Sequence, residues 1–69
     1  MSEFCVMAEY KLCIDGEVCE EGYELKIELD NGNVINAEFV GVNDENLIVN
    51  FYDNEIEILI EVIVGVKIV

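Results

Sequence analysis

Tyr23-Glu24-Leu25-Lys26-Ile27-Glu28-Leu29-Asp30-Asn31-Gly32-Asn33-Val34-Ile35-Asn36-Ala37-Glu38-Phe39 is the stretch that decides the fold. In its first half Tyr23, Leu25, Ile27 and Leu29 alternate with Glu24, Lys26 and Glu28; in its second half Ile35, Ala37 and Phe39 alternate with Asn36 and Glu38. Successive side chains of an extended chain point to opposite faces, so a period of two gives each half one apolar and one polar face. Between the halves, Asp30-Asn31-Gly32 has turn chemistry. Directly opposed residues of an antiparallel pair share a face, so candidate turns can be tested against the pattern. A two-residue turn at Asn31-Gly32 sets Ile27 against Asn36 and Leu25 against Glu38, which mixes the faces. A three-residue loop, Asp30-Asn31-Gly32, sets Ile27 against Ile35, Leu25 against Ala37 and Tyr23 against Phe39. The spacing predicts a hairpin with a type I turn and Gly32 as a left-handed bulge.

The same pattern continues downstream. Val and Ile supply 19 of the 69 residues, and their branched side chains favour extended backbone. Leu47, Val49 and Phe51 bracket Asn50, while Ile56, Ile58 and Ile60 bracket Glu57 and Leu59. A two-residue turn at Asp53-Asn54 pairs Phe51 with Ile56, Val49 with Ile58 and Leu47 with Ile60. The loop Asn43-Asp44-Glu45-Asn46 completes a meander if Phe39 faces Phe51. Gly41 and Gly65 mark places where a strand bends or changes partner, and Val66-Lys67-Ile68-Val69 reads as a short last strand. The expected architecture is all-β: four long strands closed by a short fifth into a small antiparallel barrel over residues 23–69. Residues 1–22 form a covering segment. Within it Phe4, Val6, Ala8, Tyr10, Leu12 and Ile14 alternate as a strand, with a short N-terminal helix as the other possibility. Asp15-Gly16 reads as a turn and Glu20-Glu21-Gly22 as a loop.

Under this register Glu24, Glu28, Glu38 and Glu57 point outward together with Val40, Val42, Ile48 and Leu59. Such an apolar patch is either covered by residues 4–14 or used by another chain.

Composition then excludes function classes. Sixty-nine residues make one domain, and 16 acidic against 3 basic residues give a formal charge of −13. Only Lys11, Lys26 and Lys67 are available to neutralise phosphates, so the chain repels nucleic acid and attracts basic partners. Without a single His there is no imidazole base and no His metal ligand. Cys5, Cys13 and Cys19 lack the C-x2-C spacing of zinc sites and read as ordinary thiols of a reducing cytoplasm. Nothing at the N-terminus resembles a signal peptide, and the apolar run from Ile56 to Val69 is too short and, with Glu61 and Lys67, too charged to span a bilayer. The oxygen-rich stretches sit where hairpins need turns and do not follow the ligand order of a calcium loop. The expectation is a cytoplasmic, non-enzymatic protein without cofactor or metal.

The segment from Glu24 to Val69 resembles the Sm-like, SH3-like family of five-stranded barrels. The residues that carry the resemblance are Leu25 to Gly32, then Phe39-Val40-Gly41, then Asp44 with Asn46-Leu47-Ile48-Val49. Where RNA-binding Sm proteins carry a basic residue in their second motif, this chain has Ile60-Glu61-Val62, which turns the expected phosphate contact into a repulsion. In size and acidity the chain is also similar to the acidic Rof-like regulators, which inhibit an RNA-handling protein, and to phage inhibitors. These resemblances imply a module that binds and inhibits a basic nucleic-acid-handling protein, as a nucleic-acid mimic, regulator or anti-defence protein. Its contact residues would be Glu24, Glu28, Glu38, Glu57 and Glu61. The alternative they imply is an Sm-like ring subunit with an RNA-binding or structural role, joined to its neighbours through strand edges and the patch of Val40, Val42, Ile48 and Leu59.

Overall fold

A computed structural model of the chain describes residues 4–7 and 11–69. Three short strands come first: β1 (Phe4–Met7), β2 (Lys11–Ile14) and β3 (Glu17–Val18) pair antiparallel in that order. Five longer ones follow: β4 (Glu24–Leu29), β5 (Val34–Val42), β6 (Asn46–Phe51), β7 (Asn54–Leu59) and β8 (Ile63–Ile68). They make an antiparallel sheet in the order β7-β6-β5-β4-β8, so the meander returns its last strand to the side of its first. A single 3₁₀ turn, Ile60–Val62, joins β7 to β8. Among the described residues no helix is long and apolar enough to cross a membrane.

The hairpin expected from residues 23–39 forms in the expected register, with Leu25 opposite Ala37 and Ile27 opposite Ile35. Its three-residue loop is closed by Leu29 N–H donating to Asn33 O at 2.9 Å and Gly32 N–H donating to Leu29 O at 3.0 Å. Gly32 sits at φ +91°, where an L side chain is strained. Tyr23 and Phe39 also come together, Phe39 N–H donating to Tyr23 O at 2.7 Å.

The inner face of the sheet is one cluster containing Leu25, Ile27, Phe39, Leu47, Val49 and Val66. Leu12, Ile14 and Cys19 belong to the same cluster, brought in by β2, which packs against β5 and β8. The covering segment is therefore strand rather than helix, and it covers the inner face instead of the outer apolar patch. The reason is parity: Leu12 and Ile14 offer two inward side chains from one strand, and the inner face has apolar partners to meet them. Asp15 and Gly16, at φ 50° and 86°, make the expected tight turn between β2 and β3. Ala8 and Tyr10 of the expected alternation lie outside the described residues.

Three details differ from expectation. The β6–β7 turn is Tyr52-Asp53, at φ 50° and 63°, instead of Asp53-Asn54. Phe51 then opposes Asn54, Val49 opposes Ile56 and Leu47 opposes Ile58. Likewise Phe39 faces Val49, two residues short of Phe51. Registers that differ by two leave every side chain on the same face, so alternation alone cannot choose between them. The choice falls to local chemistry, where Asn54 Nδ2 donates to Tyr52 O at 3.1 Å across the turn, and Ile60 is released into the 3₁₀ turn.

The second difference involves Val42. Phe39 opposes Val49 but Gly41 opposes Ile48, so β5 carries one extra residue at Val40. This bulge is the bend expected at Gly41, and it reverses the parity of the residues beyond it on β5. Val42, expected outside, is 6% exposed and part of the core. The third is the last strand, which begins at Ile63 and is interrupted by a bulge of its own: Glu28 opposes Gly65 while Leu29 opposes Ile63.

Candidate functional site

The outer face of the sheet is built by the alternate residues that the inner face rejects. Glu24 on β4 stands opposite Glu38 on β5, Glu38 opposite Asn50 on β6, and Asn50 opposite Glu55 on β7. Directly opposed residues share a face, so Glu24, Glu38, Asn50 and Glu55 form one row across four strands. The three carboxylates are exposed. At the end of this row a shallow cleft is lined by Glu24, Glu38, Asn50, Tyr52 and Asp53, among others. Tyr52 projects from the turn with 82% of its surface exposed, its ring edge-on to Phe51 at 4.5 Å. Asn50 Oδ1 is buried and has no hydrogen-bond partner.

The next row is of opposite sign. Lys26 opposes Lys67 on one side and Asn36 on the other, so two of the three lysines lie side by side between Glu24 and Glu28. The row after that carries Glu28, opposite Val34 and Gly65. Glu28 lies over Gly65, where an added Cβ would come within 3.7 Å of Glu28 Oε2.

A second acidic surface lies at the other end of β6. Asp44 and Glu45 in the β5–β6 loop and Glu61 on the 3₁₀ turn surround a depression floored by Leu59 and Ile60. The loop is braced from within: Asn43 Oδ1 accepts from Glu45 N at 2.9 Å and from Asn46 N at 2.7 Å. Ile60 N donates to Glu45 O at 2.9 Å and so ties loop to turn. Nearby, Asn46 Nδ2 donates to Glu57 Oε1 at 3.3 Å.

The five carboxylates expected as one strip are thus divided. Glu24 and Glu38 are paired, Glu28 is separated from them by the lysine row, Glu57 is held by Asn46, and Glu61 joins Asp44 and Glu45. Glu55 was missed because the later turn would set Glu57 opposite Asn50; placing the turn at Tyr52 brings Glu55 there instead. Of the apolar patch, Val40 and Ile48 are half-buried, Leu59 is 47% exposed, and Val42 is absent from this face.

Cys19 and Tyr23, both near the β3–β4 connection, titrate away from their ordinary values. Burial, reinforced by the Glu17 and Glu20 carboxylates, pushes the Cys19 thiol up to about 11. The Glu20 carboxylate raises the Tyr23 phenol, which reaches Glu20 Oε2 at 3.5 Å. Among the described residues no group of three or more Cys, Asp or Glu side chains is placed to hold a metal ion. The two acidic surfaces, one on the sheet and one on the β5–β6 loop and 3₁₀ turn, offer exposed negative charge, which suits cationic side chains and opposes phosphate. No protein-family model matches the chain, and neither a curated protein nor a solved structure matches it.

Proposed function

We propose that this chain is a non-catalytic, acidic interaction module of Sm-like build that binds, and thereby inhibits, a basic nucleic-acid-handling protein. The observation that carries the proposal is the row Glu24, Glu38, Asn50 and Glu55, running across four strands of a chain with formal charge −13. Like charges directly opposed on a sheet cost stability, and a basic partner that neutralises them recovers that cost on binding. Glu24 and Glu38 stand one strand apart, about 4.8 Å, and Glu55 lies two strands beyond Glu38, about 9.6 Å, so the negative charge is spread along the row. In this role the module occupies a nucleic-acid channel as a mimic, in the manner of a regulator or anti-defence protein, and acts in the cytoplasm.

The Sm-like part of the reading is supported by the strand order, in which the last strand returns beside the first of the five, and by the bend at Gly41. Glu61, with Asp44 and Glu45 beside it, makes the corresponding RNA surface repulsive. The test is capture of partners by the unmodified chain and by Glu24→Lys/Glu38→Lys. Loss of a basic partner with the double reversal supports the proposal, and unchanged capture contradicts it.

A ring-forming subunit is the second reading. It is favoured by the position of β7 and β8 at the two ends of the sheet, with Leu59 exposed on β7. Light scattering separates the two readings, since a monomer excludes a ring, and filter binding to short U-rich RNA tests for retained RNA affinity.

A further inference from the structure

We propose that Asn31 modifies itself: the Gly32 backbone nitrogen displaces its side-chain amide, and the residue becomes aspartate or isoaspartate, with water as the co-reactant. Asn31 and Gly32 form the exposed tip of the β4–β5 hairpin. Asn31 Oδ1 accepts from Asn33 N at 2.9 Å, an Asx turn that folds the side-chain amide back along the Gly32 peptide. Nucleophile and electrophilic carbon are thus held on one short turn, and such positioning lowers the barrier of an intramolecular step. The same Asn33 N–H points at Oδ1, the atom that takes up negative charge when the nitrogen adds. Gly32 brings no side chain to crowd the attack, and the space a Cβ would fill has nothing within 4 Å.

The loop that presents the site is anchored on both sides. Leu29 N donates to Asn33 O at 2.9 Å, and Asp30 N donates to Val62 O at 2.9 Å, which holds the loop to the 3₁₀ turn. Each of the six other asparagines is followed by a residue that carries a side chain. Asn43 is the informative comparison. Its Oδ1 also accepts from the backbone, from Glu45 N at 2.9 Å and Asn46 N at 2.7 Å, but Asp44 follows it. Asn36, Asn46 and Asn50 lie in β5 and β6, strands paired on both sides, where the backbone is not free to turn toward the side chain. Asn31 alone joins a folded-back amide to a glycine.

A single contact opposes the reaction: Gly32 N–H donates to Leu29 O at 3.0 Å and must let go first. It lies at an exposed hairpin tip, where the net worth of one hydrogen bond is small. The freed nitrogen gives its proton to hydroxide and bonds to Asn31 Cγ. The Cγ–Nδ2 bond then breaks, and the amide nitrogen leaves as ammonia after taking a proton from water, which restores the hydroxide. Water opens the resulting cyclic imide. Addition at Cγ breaks its bond to the Gly32 nitrogen and gives aspartate; addition at the main-chain carbonyl breaks the peptide bond and gives isoaspartate, with the chain routed through Cγ. The ring nitrogen recovers its proton, and the new carboxyl group gives its own to ammonia. Nothing is oxidised or reduced. Either product adds a negative charge beside Asp30 to a chain already at −13, and isoaspartate also lengthens the loop that sets the hairpin register.

The full-length chain is incubated at mildly alkaline pH, folded by circular dichroism, and sampled over weeks for released ammonia and for the site of amide loss. Cleavage after glutamate releases residues 29–38, which carry Asn31, Asn33 and Asn36, apart from the other four asparagines, and fragmentation in the mass spectrometer assigns the position. Amide loss should appear first at Asn31, with ammonia released in step and isoaspartate detected there by enzymatic methylation. Asn31→Asp, which keeps an acceptor for Asn33 N–H, should release no ammonia over that period. Gly32→Ala should lose the conversion at Asn31. No amide loss in the folded chain, loss first at another asparagine, loss at Asn31 only after urea has unfolded the chain, or an unchanged rate in Gly32→Ala would each overturn the proposal. The unmodified chain and Asn31→Asp decide the matter even if Gly32→Ala fails to fold.

Discussion

Glu24 and Glu38 face each other across β4 and β5, both exposed, while the next pair along, Leu25 and Ala37, is buried on the other side of the sheet. The hydrophobic pair fixes the register, and the register imposes the repulsion. Replacing one member should therefore stabilise the fold. Glu38→Lys converts a like pair into an opposite pair, and should gain roughly 0.2–1 kcal/mol in urea unfolding. In about 1 M salt, where screening acts within roughly 3 Å, the gain should vanish.

The β6–β7 turn places Tyr52 and Asp53 at φ 50° and 63°, a region that glycine occupies without steric cost. Asp53→Gly should raise stability by roughly 0.5 kcal/mol, a rise in melting temperature of about 2–4 °C for a domain of this size. Gly32→Ala, made at φ +91°, should lower stability by about 1 kcal/mol or more. Thermal unfolding followed by circular dichroism checks both.

The bulge at Val40 predicts an inversion of ordinary size effects. Val42→Ala, inside the core, should cost roughly 2 kcal/mol, because it removes buried carbon and leaves a cavity. Leu59→Ala removes more carbon but from an exposed site, and should change stability by no more than about 0.5 kcal/mol. Equal costs, measured by denaturant unfolding, would place Val42 outside.

Cys19 sets an alkaline limit. Its folded thiol is raised to about 11 from an ordinary 9.0, so folding favours the protonated form. A group raised in this direction contributes stability that is complete below its unfolded value and is lost as pH climbs through the folded one. Stability should therefore fall between pH 9 and about 11, and Cys19→Ala should flatten that part of the profile. A profile identical in both proteins would contradict it.

How far the sequence could be read depends on what alternation encodes. Period two states which face a residue takes, and it placed Leu25, Ile27, Val49 and Ile58 in the core and Glu24, Glu38 and Glu57 outside. The turn at Asp30-Asn31-Gly32 was legible because the competing two-residue turn would have mixed faces. The turn at Tyr52-Asp53 was not, since its competitor differs by two residues and preserves every face. Val42 was misplaced for a related reason: Gly41 signalled a bend, but a bulge reverses parity and a smooth bend does not. The acidic row was half visible. Glu24 and Glu38 came from one hairpin, whereas Glu55 needed the correct register of a second.

The most direct test of the central claim is affinity capture of partners from the native host, by the unmodified chain and by Glu24→Lys/Glu38→Lys, each at low salt and in about 1 M salt. The expected result is a basic nucleic-acid-handling protein retained at low salt by the unmodified chain alone. It should be released by salt and absent from the reversed variant, whose circular dichroism matches the parent. Retention of the same partner by the reversed variant, or through high salt, would contradict an interface built on Glu24 and Glu38.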